Sequence, residues 1–95
     1  MTLHPCTCTT IRKAARAVTR FYDEALGRAG LTATQFAVMR AVERAGTVTM
    51  SRVADALVMD RTSLYRTVAP LMREGLLRCT SAEDDARAKC LVVSR

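Results

Sequence analysis

The stretch TMSRVADALVMDRTSLYRTVAPLMREGLL, residues 49–77, predicts two helices joined by a tight turn. Thr49 is placed to cap the first helix, because its hydroxyl can accept a backbone N–H that the first turn leaves without a partner. Apolar residues then recur at helical spacing, at Val53, Ala54 and Leu57. A turn follows at 58–59, and Asp60 is placed to cap the second helix, whose positive end also favours a carboxylate.

The second helix separates apolar and polar side chains onto opposite sides. Its predicted apolar stripe comprises Leu64, Val68, Leu71 and Met72. The opposite face, flanked by Ser63 and Pro70, comprises Thr62, Arg66, Ala69 and Arg73 and contains no carboxylate. A face that offers only donors and cations suits a polyanion, as when the second helix of a helix-turn-helix enters the major groove of DNA.

Pro70 lies inside this second helix. It removes one backbone hydrogen bond, and an interior proline destabilises a helix by about 3 kcal/mol. Because the apolar stripe continues beyond it, we expect the helix to pass through Pro70 with a kink. The alternative is that the helix ends near Thr67.

Length and composition limit the classes of protein. Ninety-five residues suit one domain, and a hydrophobic content of 49% argues against disorder. The net charge of +6 indicates attraction to nucleic acid or an anionic membrane, unless it serves only solubility. No apolar run approaches the roughly 18 residues of a membrane span, and the N-terminus has no secretion signal. We therefore expect a cytoplasmic protein, not associated with a membrane, whose four cysteines are reduced rather than joined in a disulfide framework.

The sequence before the helix pair predicts an arm and two further helices. Residues 1–9 are predicted to be an N-terminal arm, and Thr9 or Thr10 to cap a helix that runs to about Arg28. Gly30 suits the left-handed residue after its end. A second helix is predicted from Thr32, where T-A-T-Q forms a capping box, to Gly46. Its predicted buried stripe comprises Phe36, Ala37, Val38, Met39 and Val42.

The sequence after the helix pair predicts a β-hairpin. Residues 77–80 and 89–93 read as strands around the charged loop 81–88, and 47–48 as a very short strand before the pair. A hairpin directly after a recognition helix is a wing. The predicted fold is therefore mainly α with a small β-hairpin: a winged helix-turn-helix of order α-α-β-α-α-β-β. The DNA-binding domain would comprise residues 10–95, with the helix-turn-helix at 49–75 and the wing at 76–95.

Three segments in combination resemble the MarR family of bacterial transcription regulators. They are LTATQFAVMRAVERAG, the helix pair quoted above and DDARAKCLVVS, in which Asp85, Arg87 and Lys89 are similar to the family's D-x-R-x-K wing motif. The resemblance extends from about residue 8 to residue 95. It implies a homodimer that binds a pseudo-palindromic operator in double-stranded DNA and is released by a small-molecule or oxidant effector.

The resemblance also assigns DNA contacts by position. It places Arg61, Thr62, Ser63 and Arg66 at the major groove. It places Arg87, together with Lys89, at the minor groove, where Asp85 steadies the arginine. Arg73, on the same outward face as Arg66, completes the predicted set of DNA-binding residues. Arg66 is the best candidate for a bidentate guanine contact, whereas Tyr65, at the edge of the stripe, is interpreted as packing rather than as a base contact.

The chain departs from the family pattern in two places. Family members are usually longer and end in helices that complete the dimer. This chain is therefore either a fragment or a protein that dimerises through other surfaces, such as the first helix. Val58 occupies a turn position where glycine is common. A β-branched residue with positive φ is strained, so we expect this turn to avoid that geometry.

The N-terminal arm contains H-P-C-T-C, for which three interpretations stay open. The first is an ordinary arm with unremarkable thiols. The second is a redox sensor formed by Cys6 and Cys8, since a helix N-terminus stabilises a thiolate that can oxidise and condense with another thiol. Hydroperoxide-sensing family members place a reactive cysteine 22 residues before the glycine of G-L-T, as Cys8 precedes Gly30 here. The third is a metal site formed by His4, Cys6 and Cys8, which lacks a fourth ligand unless Cys79, Cys90 or a second subunit contributes one.

The remaining chemistry-bearing residues predict no enzyme. Asp84 and Asp85 are adjacent in a loop, His4 is isolated, and no glycine-rich phosphate loop occurs, so we predict no catalytic residues, no cofactor and no metal. Cys79 and Cys90 lie on the two wing strands, where we interpret them as small buried hydrophobic residues. The predicted function is sequence-specific transcriptional regulation, as a repressor released by an oxidant or ligand. The alternative is a winged-helix protein-interaction module without specific DNA binding.

Overall fold

The computed structural model describes residues 5–81 and 89–94. Its elements are α1 (Pro5–Gly27), α2 (Ala33–Ala45), β1 (Thr47–Thr49), α3 (Met50–Ala56), α4 (Arg61–Arg73), β2 (Leu77–Ser81) and β3 (Lys89–Val93). This order confirms the predicted winged helix-turn-helix. The chain divides into two compact units, Met1–Ala33 and Thr34–Arg95. None of the described helices combines the length and apolar character needed to cross a membrane.

The first unit corrects the predicted start of helix α1. The helix begins at Pro5, not after a cap at Thr9 or Thr10, so residues 5–9 of the predicted arm are helical. Proline suits the first turn of a helix, where its fixed φ is already helical and its missing N–H is not needed. The Thr10 hydroxyl donates to the Cys6 carbonyl over 2.8 Å, a bond within the helix rather than a cap. Residues 1–4 of the arm, with His4, lie outside the described residues.

The end of α1 follows the prediction. Gly30 has φ 77°, as expected for the left-handed residue after a helix. The Gly30 N–H donates to the Gly27 carbonyl over 3.0 Å and the Leu31 N–H to the Leu26 carbonyl over 3.3 Å, which satisfies two terminal carbonyls. The carboxylate of Asp23 accepts the N–H of Ala33, the first residue of α2, over 2.5 Å.

The second unit builds its core from one side of each of its elements. The fully buried side chains are Val38, Val42, Val53, Leu64, Val68, Leu71, Leu77 and Leu91. The predicted stripe of α2 is wrong for Phe36, which is 38% exposed. At about 100° per residue, Phe36 lies about 160° around the helix from Val38, so a helix that buries Val38 and Val42 turns Phe36 outward.

Helix α4 buries three of its four predicted stripe residues. Leu64, Val68 and Leu71 are inaccessible to solvent, whereas Met72 is 37% exposed at the edge of the stripe. The helix continues through Pro70 to Arg73, so an end near Thr67 is excluded. The kink at Pro70 stays a prediction.

The sheet has strand order β1-β3-β2, with both pairs antiparallel. In the wing, Cys79 lies opposite Leu91 and Thr80 lies opposite Cys90. Residues that pair directly share a face of the sheet, so this register places Cys79 and Cys90 on opposite faces. Cys90 is buried, as predicted, but Cys79 is exposed, because β2 is an edge strand whose outer residues face solvent.

Candidate nucleic-acid interface

Helix α3 and the turn after it position the recognition helix. The Thr49 hydroxyl accepts the N–H of Arg52 over 3.2 Å, which confirms the predicted cap. At the other end, the Val58 N–H donates to the Asp55 carbonyl over 3.2 Å and the Met59 N–H to the Ala54 carbonyl over 2.8 Å. This pair of bonds is a Schellman motif, which requires a left-handed residue at the position of Val58.

The prediction that this turn avoids positive φ is wrong. Val58 has φ 53°, and it is the one described non-glycine residue with positive φ. Its side chain is 92% exposed, so packing does not compensate for the strain. Met59 is half-buried after the turn and Asp60 caps the next helix. The short connection between two fixed helices therefore imposes this conformation on whichever residue follows Leu57.

Asp60 fixes the start of α4, as predicted. Its carboxylate accepts the Ser63 N–H over 2.6 Å. That backbone bond, followed by a bond from the Ser63 hydroxyl, lowers the pKa of Asp60, and the charge of Arg66 adds to the effect. Ser63 is half-buried and its carbonyl accepts the Thr67 hydroxyl over 3.0 Å. The structure thus places Ser63 within the cap, at the flank of the outward face.

Helix α4 brings four of the predicted DNA-binding residues to the surface. Arg61, Thr62, Arg66 and Arg73 are all exposed, and no carboxylate lies between Asp60 and Glu74. The guanidinium of Arg61 donates to the hydroxyl of Ser51 in α3, so this side chain bridges the first turns of the two helices. The face is therefore cationic and its orientation is fixed by α3.

The wing carries the remaining predicted contacts. Lys89 is exposed opposite Ser81, at the last described pair before the tip of the hairpin. Asp85 and Arg87, which the resemblance assigned to the wing, lie outside the described residues. The close of α4 fixes where the wing begins, because the Leu76 N–H donates to the Leu71 carbonyl over 2.9 Å and Gly75 takes φ 77°.

The cysteines of α1 lie in its first turns. Cys6 and Cys8 are both exposed. Residues two apart on a helix do not face each other, so a bond between these two sulfurs would require the first turn to unwind. Within residues 5–81 and 89–94, no three His, Cys, Asp or Glu side chains are placed to share a metal ion.

Three surface residues were not predicted from the sequence. Ser51 binds Arg61, and Arg52 is exposed in the first turn of α3. The first helix of a helix-turn-helix crosses the DNA backbone, and this rule could have identified Arg52. Tyr65, interpreted as a packing residue, is 47% exposed. A residue at the edge of the apolar stripe can be buried or exposed, and the packing of the helix decides which.

Known proteins resemble the chain in sequence and fold. The model of the MarR family matches residues 29–88. The transcriptional regulator MOSR of M. tuberculosis, crystallised in complex with DNA, is 37% identical with a TM-score of 0.82 over 94% of this chain and 64% of that one. The reduced form of MarR from E. coli is 21% identical with a TM-score of 0.83, over 99% of this chain and 68% of that one. No curated protein matches significantly.

A mutant MarR from E. coli complexed with operator DNA is 21% identical, with a TM-score of 0.88 over 95% of this chain and 64% of that one. The chain therefore spans about two thirds of the length of these solved proteins. The structures at 21% identity establish the fold. The family model matches residues 29–88, which is more than half of the chain and includes the whole helix-turn-helix, so the chain belongs to the MarR family of winged-helix regulators.

Proposed function

We propose that this protein is a sequence-specific DNA-binding transcriptional regulator whose helix α4 enters the major groove. The observation that carries the proposal is the outward face of α4, where Thr62, Arg66 and Arg73 are exposed without any carboxylate among them. The face belongs to a helix that is capped by Asp60 and packed through its opposite side. The 37% identical MOSR was crystallised in complex with DNA, which supports the same partner here.

Each residue of the interface takes a role that its chemistry permits. Arg66 would contact guanine, since its guanidinium can donate two parallel hydrogen bonds to O6 and N7. Thr62 and Ser63 would contact bases or phosphates near the start of α4. Arg61 would reach the phosphate backbone from its position at Ser51. Arg87 and Lys89 would supply the minor-groove and phosphate contacts of the wing, and Arg73 the phosphates beyond the end of the helix.

The proposed regulator acts as a homodimer on two half-sites. Helix α1 supports this, because Ile11, Val18 and Tyr22 lie on one side of it and are all exposed. A contiguous apolar surface of this kind is typical of a protein–protein contact. Two-fold related recognition helices then require a pseudo-palindromic operator with half-sites about one helical turn of DNA apart.

The proposed activity is repression that an oxidant or a small ligand relieves. Cys8 supports an oxidant, because its thiol is exposed in the first turns of α1 and an accessible cysteine can be oxidised. Oxidation by a hydroperoxide would give the sulfenic acid, with the peroxide reduced to the alcohol. A cysteine of the second subunit could then form a disulfide with release of water.

The proposal is tested by selecting binding sites from a random duplex library and measuring affinity by fluorescence anisotropy. We expect a preferred sequence with a two-fold axis. The logarithm of the association constant should fall linearly with the logarithm of the salt concentration, with a slope of about −0.9 for each phosphate that the protein neutralises. Arg66→Ala should abolish the preference while leaving weak non-specific binding. Arg66→Lys should also lose most of it, because an ammonium cannot reproduce the bidentate contact.

Arg44→Ala provides the matched control, since Arg44 is exposed in the last turn of α2 and lies outside the proposed interface. This variant should keep the ratio of affinities for selected and random DNA. If Arg66→Ala keeps the same ratio, the assignment of Arg66 is wrong. If the folded wild-type chain selects no sequence, the protein-interaction module becomes the better description.

A further inference from the structure

Tyr65 is an aromatic residue in the middle of α4 that the fold leaves about half exposed. The residue is 47% exposed, although Leu64 before it and Val68 one turn after it are inaccessible to solvent. Within residues 5–81 and 89–94, the Tyr65 side chain makes no hydrogen bond and no aromatic contact. The tyrosine therefore presents an apolar ring to solvent on the same helix that carries Arg66.

The position of Tyr65 on the helix places it beside the cationic face. At about 100° per residue, it lies about 60° around the helix from Thr62 and about 40° from Ala69. Ala69 is one turn further along and carries only a methyl group, so it leaves the ring edge accessible. Thr62 and Ala69 on this side are small, whereas Arg61, one turn before Tyr65, and Arg66, next to it in sequence, are exposed and carry positive charge.

The chemistry of the major groove offers one apolar partner for such a ring. Guanine, cytosine and adenine present donors and acceptors there, which suit the arginines and Thr62, whereas thymine adds a C5-methyl group. We infer that Tyr65 is a specificity-determining residue whose ring contacts a thymine methyl group in each half-site, next to the guanine contacted by Arg66. This inference rests on the proposed function and names the base that the helix reads besides guanine.

The test removes the Tyr65 ring and the thymine methyl group, first separately and then together. The probe is the duplex that the wild-type chain selects from a random library, in which each dT is replaced in turn by dU, which lacks only the methyl group. For the wild type we expect one symmetric position at which dU weakens binding about fourfold per half-site, the fold-change that one buried methyl group gives at about 0.8 kcal/mol. Tyr65→Ala should weaken binding to the dT duplex and lose this sensitivity to dU.

Two further variants distinguish the contribution of the ring from that of its hydroxyl group and from a change in the stability of the helix. Tyr65→Phe should bind and discriminate like the wild type, because the contact uses the ring. Tyr65→Gln, which keeps a long side chain on a good helix former, should behave like Tyr65→Ala. Far-UV circular dichroism and the melting temperature show whether each variant is folded. If Tyr65→Ala is unfolded, Tyr65→Gln replaces it in the binding experiment.

The outcomes distinguish this inference from the proposed function. Suppose that the losses of DNA affinity caused by dU and by Tyr65→Ala add at every thymine, while Arg66→Ala still abolishes the preference for the selected sequence. The role of Tyr65 is then refuted and the proposed function stands. Suppose instead that Tyr65→Ala changes the sedimentation coefficient of the protein while its loss of DNA affinity simply adds to the loss caused by dU. In that case the ring belongs to a protein interface and the inference is again refuted. If the wild type selects no sequence, the proposed function itself fails.

Discussion

Substitution of Val58 by glycine should stabilise the protein, although it removes a hydrophobic side chain. An L-residue in the left-handed region costs about 1–2 kcal/mol, and Val58 has φ 53° with a β-branched side chain. Glycine removes this cost but gives the unfolded chain more freedom, worth about 0.5–1 kcal/mol. Because the side chain is 92% exposed, almost no burial is lost. The expected net gain in the free energy of unfolding is about 0.5–1 kcal/mol.

The assay is thermal unfolding at fixed protein concentration, because dimerisation would make the melting temperature depend on concentration. For a chain of this size, about 1 kcal/mol corresponds to about 4–8 °C. We therefore expect Val58→Gly to raise the melting temperature by about 2–8 °C. Val58→Ala should change it little, since alanine keeps most of the left-handed cost and an exposed substitution is typically within about 0.5 kcal/mol.

Gly75 provides a matched control in the opposite direction. It occupies the same place after α4 that Val58 occupies after α3, with φ 77° and the same pair of backbone hydrogen bonds. A Cβ atom added at Gly75 would meet no atom within 4 Å, so Gly75→Ala tests the backbone conformation alone. It should lower the melting temperature by a similar amount. If Val58→Gly is destabilising while Gly75→Ala behaves as expected, the Val58 side chain stabilises the fold and our reasoning about strain is wrong.

Two further predictions concern titration and oxidation. The pKa of Asp60 is lowered, chiefly by the backbone N–H of Ser63, so its stabilising effect is present above the ordinary value of 3.8 and is lost as the pH falls through the lower folded value. The melting temperature of Asp60→Asn should therefore lie furthest below that of the wild type near pH 7 and approach it below pH 3.8, whereas a constant difference would contradict this. Cumene hydroperoxide should lower the DNA affinity of the wild type, with recovery in thiol, and should leave Cys8→Ser unaffected. Equal loss in both proteins would remove Cys8 from the mechanism.

Local sequence signals predicted the elements and their ends, because each signal acts within a few residues. Thr49 and Asp60 accept amide hydrogens three residues away, and Gly30 follows the end of α1 with the φ that glycine favours. The stripe of α4 continued past Pro70, and the helix does the same. The start of α1 was misplaced because threonine is a good cap, but proline four residues earlier is an equally good first-turn residue.

The candidate interface could be predicted in part. The outward positions of Arg66 and Arg73 follow from helical periodicity once the buried side of α4 is recognised. The engagement of Arg61 by Ser51 could not be predicted, because it depends on how α3 and α4 pack. The exposure of Tyr65 has the same origin, since a residue at the edge of a stripe is buried or exposed according to its neighbours in space.

The sequence by itself determined the succession of helices, the two caps and the wing strands, since these depend on periodicity and on hydrogen bonds between near neighbours. Only the tertiary structure decided the conformation of Val58 and the faces of Cys79 and Cys90. Val58 is left-handed because two packed helices must be joined by a short turn, and the cysteines are separated because strand register assigns each to its own face. Both outcomes are set by contacts between distant parts of the chain, which often outweigh the preference of a single residue.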